Sequence, residues 1–454
     1  MPMTFRAELR AMIRLAVPIV AVQLGQMLMG VVDTVMVGHV SPEAIAAVAL
    51  GNLYFFGAAI FGMGALMALD PIVAQAVGAG DTVAVARGVQ RGLILALGLS
   101  VVATALLLPA RPILGWLRQP AGVADVAATY ARVEIAGILP FYLFGALRQS
   151  LQALKRIAPI VGAMVVGNLA NVGLNYLWIY GHWGFPAAGA VGSAWATAVS
   201  RWVMLAWLLV VAWRSLRPQL LPLRREALAW APLSRMAALG APIGVQYELE
   251  YGVFAVVGLM MGWMGTAQLA GHQVALNLAS LAFMVPLGVS GAAAVLVGHA
   301  VGAGDVAEAR RAAAAGLVCG VGFMSASALV MLLVPTFLAR IYTTDAGVVA
   351  LAASLIPIAG VFQVFDGIQV VSIGILRGSG DTRAPMIINV LGFWLVGLPV
   401  SAALGFRAGG GPRGLWWGLT VGLVFVALVL IWRVRRRLAG EVTRVAIDRD
   451  VAPA

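Results

Sequence analysis

The chain has 454 residues, of which 62% are hydrophobic and only 11% are charged, and its mean hydropathy is +0.96. Soluble domains carry about 25% charged residues, so this composition excludes a water-soluble globular protein and indicates a chain embedded in a lipid bilayer. The single cysteine, Cys319, excludes an intrachain disulfide, and the single lysine, Lys155, is not preceded by glycine, which excludes a Walker A loop.

Twelve apolar runs are each long enough to cross a bilayer as a helix, which takes roughly 20 residues. In chain order they cover residues 14–37, 45–76, 88–109, 124–147, 157–180, 186–212, 237–263, 268–300, 312–338, 346–375, 384–405 and 414–433. The sequence therefore predicts an all-α integral membrane protein with twelve transmembrane helices.

The distribution of basic residues predicts the orientation of these helices. Alternate connections, together with both termini, hold 23 of the 30 Lys and Arg residues, the other connections hold six, and Arg201 lies within a span. Basic residues concentrate on the cytoplasmic side of membrane proteins. We therefore expect both termini in the cytoplasm, and the net charge of +12 is a bias of topology and does not indicate nucleic-acid binding.

An internal repeat divides the chain into two halves. The hexapeptide AVGAGD occurs at residues 76–81 and again at residues 300–305, within longer segments that match at a constant offset of 224. Duplicated membrane halves are typical of transporters. We expect a six-helix bundle over residues 1–213, a cytoplasmic linker over 214–235, a second six-helix bundle over 236–437 and a cytoplasmic tail over 438–454 that is disordered after Gly440. Because each half crosses the membrane an even number of times, a pseudo-two-fold axis along the membrane normal should relate them.

The repeated VGAGD segment predicts a helix stop. Glycine readily ends one helix and aspartate caps the next, whereas the lysine and hydroxyl that grip phosphate are missing.

Carboxylates inside apolar spans are the strongest functional signal, because each is costly in lipid and usually marks an ion or substrate path. Asp33, Glu250 and Asp366 lie well inside the first, seventh and tenth spans. Each could instead be a structural partner of a buried arginine or of the backbone. Glu248 lies about 200° around the helix from Glu250, on nearly the opposite face.

Two further charged residues in the spans have open roles. Asp70, followed by Pro71, favours a helix-end role, and Arg201 is either a counter-ion within its half or a residue that extends to the interface.

Uncharged polar residues accompany these carboxylates. In the fifth span Asn168, Asn171 and Asn175 share one helical face, and we interpret Asn168 as a helix-to-helix hydrogen bond. Aromatic side chains suit a cavity that accepts many ligand shapes. The predicted substrate-binding residues are Asn171, Asn175, Thr197, Gln246, Tyr247, Gln273, Asn277, Phe362 and Phe365, each of which has helix packing as its alternative role.

Four motifs carry a family resemblance. They are QMLMGVVDTVMVGH in the first span, ALDPIVAQAVGAGD ending the second, GHQVALNLASLAFMVPLGVS in the eighth and LRGSGDTRAP after the tenth. In this order the chain resembles the multidrug and toxic compound extrusion (MATE) family, specifically its NorM-like branch. The resemblance implies a twelve-helix antiporter, not an enzyme, with no catalytic residues.

The resemblance also implies roles for the membrane carboxylates. It implies cation coupling through Asp33, Glu250 and Asp366, with Glu250 and Asp366 as the pair that binds the sodium ion. Asn171 and Asn175 resemble polar positions near the first-helix aspartate of the family. Asp33 is then the candidate for a proton site or for the counter-charge of a drug.

We therefore expect a secondary active multidrug efflux antiporter in the inner membrane, acting on organic cations as a monomer in the lipid bilayer. It would need no cofactor besides the transported sodium ion or proton. The alternative is a lipid-linked saccharide flippase of the wider superfamily, which would show cavity arginines for anionic headgroups, whereas the central charges here are acidic.

Overall fold

The computed structural model describes residues 4–116 and 121–448, and nearly all of this part of the chain is helical. The long helices, numbered α1 to α12, are Phe5–Gly38, Pro42–Gly78, Thr82–Leu107, Ala121–Ala153, Ala158–Tyr180, Gly189–Val211, Trp230–Met264, Thr266–Gly302, Val306–Leu333, Ala346–Gly378, Arg383–Arg407 and Gly411–Ala439. Shorter helices cover Ala110–Trp116, Trp213–Leu220, Arg225–Leu228 and Pro335–Tyr342. Each long helix overlaps one predicted span, and the third, fifth, sixth and ninth predicted spans extend beyond the ends of their helices.

The predicted twelve-helix, all-α membrane fold is confirmed. Among the described residues, eleven helices are both long and apolar enough to cross a membrane, and the remaining long helix is α7. At 35 residues α7 exceeds the length of a span, but it carries Glu248 and Glu250 near its middle. The polar residues that lower its hydropathy are the residues that the sequence identifies as functional candidates.

Two of the spanning helices are not regular α-helices throughout. Helix α2 is interrupted after Leu66 and resumes at Leu69. Helix α11 contains π-helical segments at Val390–Gly397 and Ala403–Arg407. Short π-helical stretches occur frequently at functional sites.

The chain forms two compact units. Among the described residues, one unit contains those up to residue 20, residues 78–80 and residues 245–445, and the other contains residues 21–77, 81–244 and those from residue 446 onward. This division differs from the predicted boundaries at both ends of the chain. The first 20 residues join the unit of the C-terminal half, where Met12 is fully buried and its methyl group lies beside Gly316.

The repeated turn forms twice with the same geometry. Gly80 and Gly304 have φ angles of +70° and +76°, a backbone conformation that glycine adopts without a steric penalty. Asp81 and Asp305 then cap the following helices by accepting hydrogen bonds from backbone N–H groups three residues later, at 2.9 and 2.7 Å. The prediction of a helix stop followed by a capped helix is confirmed.

The linker between the halves packs against α3. Gln90 donates hydrogen bonds to the backbone oxygens of Gln219 and Pro222, both at 3.0 Å, and accepts one from the Arg224 backbone N–H at 2.9 Å. The buried Gln90 side chain therefore binds the polar linker to helix α3.

The tail makes contacts with the rest of its unit, so the prediction that it is disordered was wrong for residues 441–448. Residues 449–454 lie outside the described residues. Ile447 is buried, and its carbonyl accepts a hydrogen bond from Arg235 at 3.0 Å. Asp448 pairs with Arg91 at 2.7 Å and with Arg87 at 3.7 Å. The Arg91 side chain is only 2% exposed, so the tail provides the carboxylate that compensates a buried charge.

We expect Asp448→Asn to lower the thermal stability of the purified protein. The substitution leaves the Arg91 guanidinium buried with one remaining partner, the backbone oxygen of Glu226, at a cost of about 1–3 kcal/mol. The measurement is the thermal unfolding midpoint in detergent. Glu441→Gln, which removes an exposed carboxylate from the same tail, is the matched control. Equal midpoints for both variants and the unmodified protein would contradict this account of the tail.

Candidate cation sites

The structure surrounds Asp33 with three hydrogen-bond donors from α5 and α6. Asn171 Nδ2 and Asn175 Nδ2 donate to Asp33 Oδ1 at 3.0 and 2.6 Å, and Thr197 Oγ1 donates to Asp33 Oδ2 at 2.6 Å. All four side chains are buried, with Asp33 only 3% exposed. Sequence analysis named all four residues, and the structure brings them together in one unit.

This cluster contains an unused acceptor. Asn175 donates to Asn171 Oδ1 at 3.2 Å, but its own Oδ1 is buried and has no hydrogen-bond partner among the described residues. An amide oxygen left without a donor beside a carboxylate is an arrangement that accepts a cation, because buried acceptors are otherwise almost always paired.

Helix periodicity explains how α5 supplies two of these donors. Asn171 and Asn175 are four residues apart and so project from one face of the helix. Asn168, on the same face, instead donates to the backbone oxygens of Gly25 at 3.0 Å and Met164 at 2.8 Å. Its predicted role in helix-to-helix hydrogen bonding is confirmed.

A second carboxylate cluster lies in the other unit, around Glu250 of α7. Glu250 Oε1 accepts a hydrogen bond from Gln369 Nε2, and Oε2 accepts one from Asn389 Nδ2, both at 3.3 Å. The Gln246 side chain, one helical turn earlier in α7, also hydrogen bonds to Glu250. The side chains of α7, α10 and α11 therefore meet at one carboxylate.

Asp366 is included in this second cluster because its charge interacts with that of Glu250. Its carboxylate on α10 and that of Glu250 repel each other, because both are negatively charged. Two amide oxygens of the cluster, Gln369 Oε1 and Asn389 Oδ1, are buried and unpartnered within the described part of the chain. Two interacting carboxylates with free amide oxygens form a set of hard oxygen ligands that suits a small cation.

Sequence reasoning missed Gln369 and Asn389. Gln369 follows Asp366 by three residues on α10, so helical spacing alone places both on one face. Asn389 is a lone amide in an otherwise apolar span and directly precedes the π-helical segment Val390–Gly397. An amide inside a membrane span was the available signal in both cases.

The remaining predicted site residues of this half are more scattered. Phe362 is buried and packs against Phe254 and Trp416, with ring centroids 6.3 and 5.8 Å apart. Tyr247 and Phe365 are partly exposed. Gln273 and Asn277 lie on an exposed face of α8, and no hydrogen bond joins either of them to Glu250.

Arg201 of α6 has a defined partner. Its guanidinium forms an ion pair with Glu134 of α4, and both side chains lie in the unit that holds Asp33. Of the two roles that the sequence left open for Arg201, the structure therefore gives it that of a counter-ion within its own half.

The described residues contain no group of three or more His, Cys, Asp and Glu side chains arranged to hold a metal ion. The Asp33 cluster instead combines one carboxylate with two amides and a hydroxyl, and the second cluster combines two carboxylates with amides. Such ligands suit an ion that binds reversibly.

Comparisons with known proteins agree with the duplicated fold. The MatE family model matches residues 18–177 and again residues 242–403. The chain is 37% identical over 438 residues to the probable multidrug resistance protein NorM of Rhizobium meliloti (strain 1021), covering 94% of this chain and 93% of that protein. It is 39% identical over 438 residues to the multidrug resistance protein PmpM of Pseudomonas aeruginosa, covering 95% and 92%.

A solved structure shares the fold. The eukaryotic MATE transporter AtDTX14 matches with a TM-score of 0.87 and 21% identity, covering 96% of this chain and 99% of that one. The family model covers most of both halves, and relatives above 30% identity extend over nearly the whole chain. The chain therefore belongs to the MatE (multidrug and toxic compound extrusion) family of multi-pass membrane transporters and is not an enzyme.

Proposed function

We propose that this protein is a multidrug antiporter that exports amphipathic organic cations in exchange for sodium ions or protons. The names of the NorM and PmpM relatives support multidrug export. Their bacterial origin supports a location in the cytoplasmic membrane, and the bias of basic residues supports cytoplasmic termini. We propose that the protein acts there as a monomer.

The observation that carries the proposal is the pair of carboxylate clusters inside membrane-spanning helices. Asp33 in one unit and Glu250 with Asp366 in the other are each accompanied by at least one buried amide oxygen that has no partner among the described residues. A buried carboxylate binds a proton, a sodium ion or an organic cation, but not all of them together. Binding of one cation therefore releases another, which is the elementary step of antiport.

Energy for export would come from the ion gradient. A drug cation binds ionised carboxylates when the protein is open to the cytoplasm, and sodium ions or protons replace the drug when the protein is open to the outside. One charge that crosses 100 mV provides about 2.3 kcal/mol, which is roughly fiftyfold in concentration.

The ligand sets favour different ions for the two clusters. The cluster of Glu250 and Asp366 offers two carboxylates and two unpartnered amide oxygens, Gln369 Oε1 and Asn389 Oδ1, which suits sodium. Asp33 is a single carboxylate that already accepts three hydrogen bonds. We assign it the binding of a proton or of the drug's charge.

A saccharide-lipid flippase is the weaker reading of this chemistry. Anionic headgroups would need buried cations without counter-ions, whereas the Arg201 guanidinium is paired with Glu134. The charge at the centre of the Asp33 cluster is negative, which favours cationic substrates.

We expect export of a fluorescent dye such as ethidium from everted vesicles to continue without ATP and to stop when an ionophore collapses the ion gradients. The reason is that the carboxylates exchange cations and the chain has no Walker A loop. Separate sodium and proton gradients identify the coupling ion. Dye transport that persists after both gradients are collapsed would refute the antiport mechanism.

We expect Asp33→Asn to reduce dye export to background while the protein remains in the membrane. The substitution keeps the shape of the side chain and removes the only carboxylate that Asn171, Asn175 and Thr197 surround. The matched control is Asp125→Asn, because Asp125 is 53% exposed and pairs with Arg111 at the surface, where an ion pair contributes little. Export at the unmodified rate in Asp33→Asn would reject this site.

Amide substitutions test which ion the Glu250 cluster binds. Gln369→Leu and Asn389→Leu each remove a potential oxygen ligand, so they should weaken the stimulation of export by sodium at fixed pH. We expect the half-maximal sodium concentration to rise about tenfold or more, because a hydrogen bond or ligand to a charged group contributes about 1.5–3 kcal/mol. A site that binds only a proton would tolerate both changes.

Gln268→Leu is the control for this series. It makes a comparable amide-to-leucine change at the start of α8, and Gln268 has no hydrogen bond to the Glu250 cluster. An unchanged sodium response in Gln369→Leu and Asn389→Leu would remove the sodium assignment and leave proton coupling.

A further inference from the structure

A buried ion pair lies beside the Asp33 cluster and takes no part in it directly. Arg201 Nη1 on α6 contacts Glu134 Oε2 on α4, and the two side chains are 11% and 0% exposed. The other carboxylate oxygen, Glu134 Oε1, is buried and unpartnered among the described residues. Arg201 is therefore the only described cation that compensates the charge of Glu134.

The surrounding helices hold the guanidinium in place. Its central carbon lies 4.4 Å from the ring centroid of Phe55 and 5.1 Å from that of Phe141, within the range of a cation–π interaction. A side chain at Gly137 would meet the Cα of Ala198 at 3.0 Å, so this glycine allows α4 and α6 to approach closely. The position of the ion pair is thus fixed by the packing of the surrounding helices and aromatic rings.

The ion pair and the Asp33 cluster are connected through one face of α6, and their charges interact. Thr197, which donates to Asp33, precedes Arg201 by four residues on α6. Arg201 attracts the Asp33 carboxylate, and Glu134 repels it. The Tyr130 side chain also interacts with these three charges, and its hydroxyl donates to Asn52 at 3.2 Å.

The charges of this neighbourhood add up to one uncompensated negative charge. Asp33 and Glu134 contribute two negative charges and Arg201 contributes one positive charge, which stays on the guanidinium at any physiological pH. Without Glu134, the Arg201 charge would cancel that of Asp33, and the cluster would have no net attraction for a cation.

We propose that Glu134 neutralises Arg201 and thereby leaves Asp33 free to bind one monovalent cation. This inference rests on the proposed function, in which Asp33 binds a transported cation. Glu134 acts through Arg201 and does not itself contact the bound cation. A purely structural role of the ion pair, which would only fasten α4 to α6, makes different predictions.

The experiment is cation binding to the full chain in lipid nanodiscs. Binding of radiolabelled tetraphenylphosphonium is measured directly, then its displacement by sodium chloride at fixed pH and by protons at fixed sodium, with choline chloride keeping the ionic strength constant. Asp33→Asn first identifies which of these cations depends on Asp33. The affinity for that cation is then compared in Glu134→Gln, Arg201→Gln, the double variant Glu134→Gln/Arg201→Gln, and Arg201→Lys.

Charge neutralisation predicts an order of affinities. Glu134→Gln weakens the Asp33-dependent cation about tenfold or more, and Arg201→Gln strengthens it by a similar factor, because each changes the net charge by one in a medium of low dielectric constant. The double variant restores the net charge and returns the affinity to within about threefold of the unmodified protein. Arg201→Lys keeps the charge and therefore the affinity.

A structural role predicts that the double variant and Arg201→Lys lose affinity at least as much as Glu134→Gln does, and that result would overturn the inference. Breaking a buried pair can prevent folding, so thermal unfolding is measured for every variant. If a single variant does not fold, the double variant and Arg201→Lys still distinguish charge neutralisation from a structural role. If Asp33→Asn changes the affinity for none of the three cations, the proposed function of the Asp33 site fails instead.

Discussion

Lipid offers a buried charge neither hydrogen bonds nor a counter-ion, so each charged group inside a membrane-spanning helix must find its compensation within the protein. In this chain the compensation takes two forms. The Asp33 carboxylate is surrounded by neutral donors, whereas the Arg201 guanidinium is matched by Glu134. The difference matters because neutral donors lower the cost of a charge without cancelling it. In the proposed function, a cation is therefore attracted to the aspartate but not to the ion pair.

In both units, amide side chains donate hydrogen bonds to a carboxylate, but the residues and helices that provide them differ. In one unit, asparagines of a single helix donate to an aspartate of another, and in the other unit a glutamine and an asparagine from separate helices donate to Glu250. An amide that donates its N–H to a carboxylate necessarily has its oxygen nearby. In the proposed function, the same residue thus stabilises the ionised carboxylate and supplies a ligand when a cation binds. The repeated turns show that the halves share a backbone plan, so the difference between the clusters lies in side chains rather than in the fold.

The features that the sequence predicted well are local ones. Spans follow from stretches of apolar residues, the turns at Gly80 and Gly304 follow from glycine and aspartate at fixed positions, and the shared face of Asn171 and Asn175 follows from helical spacing. Contacts between distant segments were not predictable in the same way. The pair of Glu134 and Arg201 joins residues 67 positions apart, and Asn389 reaches Glu250 across 139 positions. Spacing on one helix says which side chains share a face, as for Gln273 and Asn277, but not which neighbouring helix that face meets.

The composition of the two units has a consequence for biosynthesis. Each unit combines residues from both halves of the chain, since the described residues up to 20 belong with the C-terminal half and residues 446–448 belong with the N-terminal half. During translation the Arg91 side chain enters its unit more than three hundred residues before Asp448 is made. Until then, the first helices contain the Arg91 guanidinium without its Asp448 counter-ion. Neither half is a finished folding unit until the ribosome has passed residue 448, and two halves expressed from separate genes would have to exchange these terminal segments to become stable.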